Sequence, residues 1–278
     1  MAIKEALMEM YYFTELTKRF NQAYKHLGDL RNVFKPSQPN ESWLGYDLAF
    51  VLTEMEEDKF EEYIESCIHG RKNKTFFIGL FIQYKVVNLI KQKHTRGGQS
   101  NVPSGYNVPF YRSSLKTKPS LSGTYSQHET LVRLSKTPSA KVVYACPMLF
   151  SPREVLLKPD LSKLQMVEVN TKVRNYYDKW VKAGTHEDKH HIVFQDKNGA
   201  NQMWCSDEPM KGESISCTDW IRQTDLKMLS PKEAITLIKD TKTILTKTKS
   251  QKPSLYLFEF EQFSKSKNIK NEEGIIVP

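Results

Sequence analysis

The sequence predicts an α/β fold in which helices flank a mixed central sheet. Residues 1–27 repeat apolar side chains at three- and four-residue steps, which is the spacing of an amphipathic helix. Residues 75–87, TFFIGLFIQYKVV, are apolar, rich in β-formers and too short to cross a membrane, so they predict a buried strand. Helical and extended patterns alternate through the first 150 residues, as is typical of α/β proteins.

Local signals predict the other elements. Ser230 and Glu233 form a capping box around Pro231, and this box begins a helix that runs to about residue 247. Residues 91–124 are rich in Gly, Pro, Ser and Asn and are predicted to be a long irregular excursion. The remaining predicted elements are strands at 44–52, 141–147 and 191–194 and helices at 54–68 and 126–136, followed by a polar tail after Phe263.

The composition is that of a folded globular protein. Of the 278 residues, 39% are hydrophobic and 11% are aromatic, which is sufficient for a sizeable core. No apolar run reaches the roughly 18 residues of a membrane span, and the N-terminus lacks a signal-peptide pattern. The four cysteines are widely spaced. We therefore expect a cytoplasmic protein with reduced thiols and no membrane partner.

Positive charge is concentrated in one part of the chain. Residues 66–128 contain ten Lys or Arg and no Asp or Glu, which exceeds the net charge of +9 of the whole chain. Residues 1–65 contain seven Lys or Arg and thirteen Asp or Glu. A basic stretch of this length indicates a polyanionic partner, in the first place nucleic acid. A solvated, lysine-rich loop is the alternative interpretation.

Two polar side chains interrupt the most apolar strand. Gln83 and Lys85 lie two positions apart, so a strand places both on one face. Asp47, near the start of another predicted strand, would complete the set that a metal-dependent phosphodiesterase needs. The carboxylate and the amide oxygen suit a hard divalent cation. The lysine would position or deprotonate the attacking water and stabilise charge on the phosphate.

These motifs, Gly45-Tyr46-Asp47 and Gln83-Tyr84-Lys85, resemble the PD-(D/E)XK nuclease superfamily, in the Mrr-like branch where Gln replaces the second acidic residue. The resemblance implies Asp47 and Gln83 as ligands of Mg²⁺ or Mn²⁺ and Lys85 as the catalytic lysine. The implied activity is endonucleolytic hydrolysis of DNA in bacterial restriction or anti-phage defence. The alternative is a weak or inactive nuclease-fold subunit that binds nucleic acid or a partner protein.

The resemblance also implies a domain organisation. A restriction-endonuclease-like core, made of a helix, a mixed central sheet and flanking helices, would occupy residues 1–160. Residues 161–278 would form a C-terminal α+β extension packed on that core, with a single domain as the alternative. The C-terminal half could dock a regulatory protein, and a homo-oligomer is equally compatible with the sequence.

A neutral Gln83 leaves the implied metal site short of negative charge, so a second carboxylate is needed. Glu15 lies on the first predicted helix, where many superfamily members place a metal-linked Glu. Glu41 lies in the loop that leads directly into the Asp47 strand, and we favour it for that reason. Each acid also has the simpler interpretation of a solvated surface group.

The predicted nucleic-acid contacts belong to the basic segment, and we expect DNA rather than RNA as the partner. Phosphate contacts of this kind position a nucleic acid but carry no sequence information. At the start of the 126–136 helix, a histidine could also contact phosphate, although a capping or packing role is the commoner one. The predicted contacts are Lys91, Lys93, Arg96, Arg112, Lys116, Lys118 and His128.

Overall fold

The chain is a mixed α/β protein with two main sheets. The computed structural model describes residues 5–34, 52–53, 57–69, 75–93, 95–96, 99–100, 106–116, 125–151, 153–169, 191–199, 201–205, 210–248 and 253–262. The helices are α1 (Glu5–Tyr24), α2 (Glu57–His69), α3 (Gln127–Leu134), α4 (Cys217–Gln223) and α5 (Pro231–Leu245), with 3-10 turns at Glu154–Leu156 and Leu161–Lys163. Among these helices, none has the length and apolar character required to cross a membrane.

The strands follow in chain order. They are β1 (Asp29–Phe34), β2 (Leu52–Thr53), β3 (Thr75–Tyr84), β4 (Asn88–Ile90), β5 (Thr95–Arg96), β6 (Gln99–Ser100), β7 (Phe110–Ser114), β8 (Ala140–Pro147), β9 (Leu164–Glu168), β10 (His191–Phe194), β11 (Met203–Cys205), β12 (Met210–Lys211), β13 (Ser214–Ser216), β14 (Met228–Leu229) and β15 (Ser254–Glu261).

Strand β3 lies in the middle of the larger sheet. The strand order is β13-β9-β8-β3-β15-β1-β2, and β14 also pairs with β3. β3 runs parallel to β8 and antiparallel to β15. The predicted mixed central sheet is therefore confirmed, and the strand predicted at 75–87 is its central member.

The larger sheet joins strands from both sides of residue 160. β15 lies between β3 and β1, and β9 and β13 extend the sheet beyond β8. The boundary predicted at residue 160 consequently divides a continuous sheet. The residues beyond 160 supply two of its interior strands, β9 and β15, which corrects the expectation of an extension packed on a finished core.

Each face of this sheet has its own hydrophobic core. On one face, α1 packs through Leu16 and Phe20 against Leu80, Ile82 and Phe258. On the other face, α2, α3 and α5 pack together with one side of the second sheet, and their cluster includes Phe77 and Phe81 of β3. Covering both faces in this way explains why β3 is apolar at nearly every position.

Helix α1 runs antiparallel to β3, and this direction decides what lies at its N-terminus. The Phe20 ring stacks on Phe258 with centroids 4.4 Å apart, and the Tyr24 ring meets Phe260 at 6.2 Å. Phe260 in turn pairs with Phe76 near the start of β3. The first turn of α1 therefore lies at the carboxyl end of β3.

The second sheet is antiparallel, with the order β12-β11-β10-β7-β4, and β5 and β6 form a separate hairpin. Three of these seven strands, β5 to β7, fall in the segment 91–124 that we predicted to be irregular, so that prediction is wrong for them. The reason is physical: β7 pairs with β10, about eighty residues further along the chain, and local composition carries no signal of such a distant partner.

The predicted helices at 1–27, 54–68, 126–136 and 230–247 are confirmed, with ends shifted by a few residues. The capping box between Ser230 and Glu233 is present. The strands predicted at 141–147 and 191–194 are also confirmed. The strand predicted at 44–52 lies outside the described residues except for Leu52, and so does the tail after Phe263.

Gly79 on β3 allows α5 to approach the central strand. A Cβ at this position would lie 2.7 Å from Leu237 Cδ2 and 3.1 Å from the Ser139 carbonyl oxygen. We expect Gly79→Val to lower the free energy of unfolding by about 1–3 kcal/mol, because overpacking outweighs the strand preference of valine. Urea denaturation measures this change, and a variant as stable as the native chain would contradict the close packing.

Candidate active site

The two polar residues of the predicted motif lie at the carboxyl end of β3. Gln83 is in the strand, and Lys85 is the first residue after its end. The backbone N–H of Lys85 donates to the Ala145 carbonyl oxygen at 2.9 Å. This bond continues the ladder to β8. Gln83 is 2% exposed and Lys85 is 1% exposed. Side chains buried to this extent require polar partners, so their contacts define the site.

A carboxylate from α1 joins the two residues. Gln83 Nε2 donates to Glu5 Oε2 at 3.3 Å and to the Tyr84 carbonyl oxygen at 3.2 Å. Lys85 Nζ lies 3.6 Å from Glu5 Oε1. The Glu5 side chain is 18% exposed, so the cluster meets solvent on the carboxylate side. Glu5 is in the first turn of α1, which the packing of that helix places at the end of β3.

Helix α3 supplies a further partner for the lysine. The Lys85 ammonium donates to Gln127 Oε1, and Gln127 is the first residue of α3 and fully buried. The helix is capped by Ser126, whose hydroxyl accepts the Glu129 N–H at 3.0 Å. Because the cap fixes where the helix begins, it also fixes where Gln127 holds the ammonium.

The environment changes the acid–base behaviour of the site. Burial lowers the pKa of Lys85, Glu5 opposes this change, and the positive charge of Lys116 adds to the lowering. Burial raises the pKa of the neighbouring Cys146 thiol to about 12. Cys146 therefore stays protonated at neutral pH and is not a nucleophile.

Gln83 has one atom that the described protein atoms do not satisfy. Its Oε1 is buried and has no hydrogen-bond partner there. An orphaned amide oxygen beside a carboxylate fits a ligand set for a hard divalent cation. In the part of the chain that the structure describes, no three or more His, Cys, Asp or Glu side chains form a metal-binding group. Asp47 and Glu41 lie outside the described residues.

Glu15 lies away from this cluster. Its Oε2 is 3.9 Å from Lys158 Nζ, and ten residues separate it from Glu5, which is about 15 Å along a helix. Glu5, and not the candidate Glu15, is therefore the acid of this helix that contacts Gln83 and Lys85. Which acid of α1 lies beside the motif depends on the position of the helix along β3, and the sequence of the helix does not reveal that position.

The predicted basic contacts fall into three groups. Lys91, Lys93 and Lys116 are exposed, and Arg112 is half-buried on β7. Lys116 is near enough for its charge to act on Lys85, so part of the basic segment borders the candidate site. The backbone of Arg96 lies in β5, its side chain falls outside the described residues, and Lys118 does so entirely.

His128 is an interior residue, which corrects the predicted phosphate contact. Its Nδ1 lies 2.8 Å from the Tyr144 hydroxyl, and the two rings are parallel with centroids 6.1 Å apart. The Trp204 ring lies 6.3 Å from the His128 ring. Because His128 directly follows Gln127, its contact with Tyr144 attaches the first turn of α3 to β8. The packing alternative that we gave for this histidine is the one that the structure bears out.

A scan of protein-family models and searches of curated proteins and of solved structures give no match to this chain. The geometry of Glu5, Gln83, Lys85 and Gln127 and the motif resemblance are the observations that bear on its function.

Proposed function

We propose that the chain is a metal-dependent endonuclease with a restriction-endonuclease-like core, which hydrolyses DNA phosphodiester bonds with Mg²⁺ or Mn²⁺. The observation that carries this proposal is the convergence of Glu5, Gln83 and a buried Lys85 at the carboxyl end of the central strand. The resemblance of the Asp47 and Gln83–Lys85 motifs to PD-(D/E)XK nucleases supports it. A role in bacterial restriction or anti-phage defence accompanies that resemblance.

Oxygen atoms of Glu5 and Gln83, together with Asp47, are the proposed ligands of the cation. When bound, a divalent cation of this kind activates water and neutralises charge on a phosphate. Glu5 offsets the neutrality of Gln83, because it brings a carboxylate to the same strand end. It thereby fills the role for which the sequence offered Glu15 and Glu41.

Lys85 is the proposed source of fixed positive charge. Gln127 and Glu5 both contact its ammonium, so the side chain loses little further freedom when a substrate arrives. A charge held in a buried site acts more strongly on a phosphate than the same charge in water. We assign to Lys85 the stabilisation of negative charge that develops on the scissile phosphate.

The exposed basic residues of the segment are proposed to hold the DNA backbone. Lys91, Lys93 and Lys116 are exposed and can contact phosphates at the surface. The charge of Lys116 also acts on the buried Lys85. Contacts of this kind position the duplex but do not discriminate between DNA sequences.

This role of Lys85 predicts a pH dependence. Burial lowers the pKa of Lys85 from 10.5. The cleavage rate should therefore fall as the pH rises through this lowered pKa, at a lower pH than the pKa of an exposed lysine. Glu5 raises the same pKa, so Glu5→Gln should move the fall to lower pH still. Single-turnover rates from about pH 6 to about pH 10, normalised for each variant, measure both effects. A rate that instead rises through this range would contradict a cationic role.

A second candidate is a nucleic-acid-binding subunit without catalysis. It is favoured by one observation: Glu5 is already engaged by Gln83 and Lys85, which reduces the negative charge left for a cation. Incubation of plasmid and linear duplex DNA with Mg²⁺, Mn²⁺ or a chelator separates the candidates. Cleavage only with a metal ion is expected of the nuclease, and intact DNA in all three samples supports the binding subunit.

A further inference from the structure

The start of α3 brings together parts of the chain that are distant in sequence. The Lys116 carbonyl oxygen, just beyond β7, accepts the backbone N–H of His128 at 3.1 Å. The backbone N–H of Tyr125 donates to the carbonyl oxygen of Lys247, which follows the end of α5, at 3.1 Å. This helix start therefore has basic residues beside it from the basic segment and from the C-terminal part of the chain.

The Tyr125 ring contacts two basic side chains. The Arg133 guanidinium carbon lies 3.9 Å from the ring centroid, and Lys247 Nζ lies 5.9 Å from it. Both distances are in the range of cation–π attraction. The ring is half-buried, so the fold fixes its position and two long, charged side chains converge on it. Positive charge is thereby concentrated at one point of the surface.

Glu129 offsets part of this charge. Its Oε1 accepts from Arg133 Nε at 3.2 Å and from Arg133 Nη2 at 2.8 Å. The Nη1 group takes no part in that pair, and 33% of the Arg133 side chain is exposed. Lys116 and Lys247 are exposed as well. Three cations and one carboxylate leave this group positively charged, and a surface of that kind attracts a polyanion.

The group lies close to the candidate active site. Gln127, two residues after Tyr125, is buried and accepts from the Lys85 ammonium. The exposed cations and the buried lysine are consequently arranged around the same helix start. A polyanion bound across this helix start would lie next to the position that we propose for the scissile phosphate.

We propose that Lys116, Tyr125, Arg133 and Lys247, which we call the α3 basic surface, bind the phosphate backbone of duplex DNA. The three cations contact phosphates, and Tyr125 holds two of them in place. A guanidinium stacked on an aromatic ring keeps its N–H edge available for phosphate oxygens. Because Arg133 lies over the ring, Tyr125 is not a stacking platform for an unpaired base. The identity of the polyanion rests on the proposed nuclease function.

Binding in the presence of a chelator tests the surface without cleavage. Fluorescence anisotropy with a duplex of about 30 base pairs gives the affinity at each salt concentration. Lys247→Met and Arg133→Met should each weaken binding about 3- to 10-fold at low salt and reduce the salt slope by about 1. Lys18→Met is the matched control, because Lys18 is exposed on α1, at the opposite face of the larger sheet, and its loss should change neither quantity.

Two further positions separate a lost contact from a damaged fold. Glu129→Gln removes the carboxylate that pairs with Arg133, so it should strengthen DNA binding about twofold or more, which an unfolded variant cannot do. Tyr125→Phe keeps the ring and should bind as tightly as the native chain. Tyr125→Leu removes the ring and should weaken binding.

Failure of the surface and failure of the nuclease give different results. A native chain that binds duplex DNA without cleaving it, with weaker binding in Lys247→Met and Arg133→Met, supports the surface and contradicts only the nuclease. Cleavage by a chain in which both variants bind as Lys18→Met does contradicts only the surface. A native chain that does not bind duplex DNA at low salt would also overturn the surface.

Discussion

Replacing Lys85 by Met should lower the single-turnover rate of metal-dependent DNA cleavage by about 100- to 1,000-fold, the usual cost of losing one preorganised charge or donor at a reacting phosphate or carbonyl. Methionine keeps most of the volume of the buried side chain and removes only the ammonium that Gln127 and Glu5 hold. DNA affinity should change little, because a residue that is 1% exposed contributes weakly to attraction at the surface.

Lys91→Met is the matched control for this variant. Lys91 belongs to the same basic segment but is exposed, so its loss should weaken DNA binding and leave the rate at saturating DNA nearly unchanged. Lys85→Arg should fail to restore cleavage, since a planar guanidinium does not fit the place of a compact ammonium. Undiminished cleavage by Lys85→Met would refute the assignment of this lysine.

The second large effect is expected at Glu5. Glu5→Gln keeps the shape of the side chain and removes the charge that joins Gln83 and Lys85. Cleavage at a fixed, low Mg²⁺ concentration should fall about 10- to 100-fold, and a higher Mg²⁺ concentration should recover part of it. The measurement is the cleavage rate as a function of metal concentration.

Glu15→Gln provides the comparison within the same helix. Glu15 Oε2 lies 3.9 Å from Lys158 Nζ, and Glu15 is about three helical turns from Glu5. Its loss should therefore leave cleavage within about twofold of the native rate. A larger defect in Glu15→Gln than in Glu5→Gln would show that the metal-linked carboxylate has been misassigned.

Elements with strong local signals were predictable from the sequence. The apolar run of β3, the capped start of α5 and the periodicity of α1 each depend on near neighbours in the chain. The common face of Gln83 and Lys85 follows from strand geometry, and both side chains do reach Glu5.

Features set by distant pairing were not predictable. The position of α1 along β3 depends on the contacts of Phe20 and Tyr24 with Phe258 and Phe260 of β15, a strand that we did not predict. Without that strand, the contact of Glu5 with Gln83 and Lys85 could not be predicted. Strand β7 was missed for the same reason, because its partner β10 is far along the chain.

The burial of three further residues was likewise not predictable from the sequence. His128 follows a basic, polar segment that suggests a surface, yet Tyr144 and Trp204 from separate strands enclose it. Gln202 and Trp220 belong to no motif, and only the folding of β9, β11, β12, β13 and α4 around one cleft buries them. Neither environment has a signature in the neighbouring residues.

The most direct test of the central claim, that Glu5 and Gln83 help to hold a metal ion beside Lys85, is an anomalous difference map from crystals grown with Mn²⁺. The proposal predicts a peak about 2.0–2.6 Å from a carboxylate oxygen of Glu5 or from Gln83 Oε1. A map at saturating Mn²⁺ without a peak at this strand end, or with peaks only elsewhere on the molecule, would contradict it.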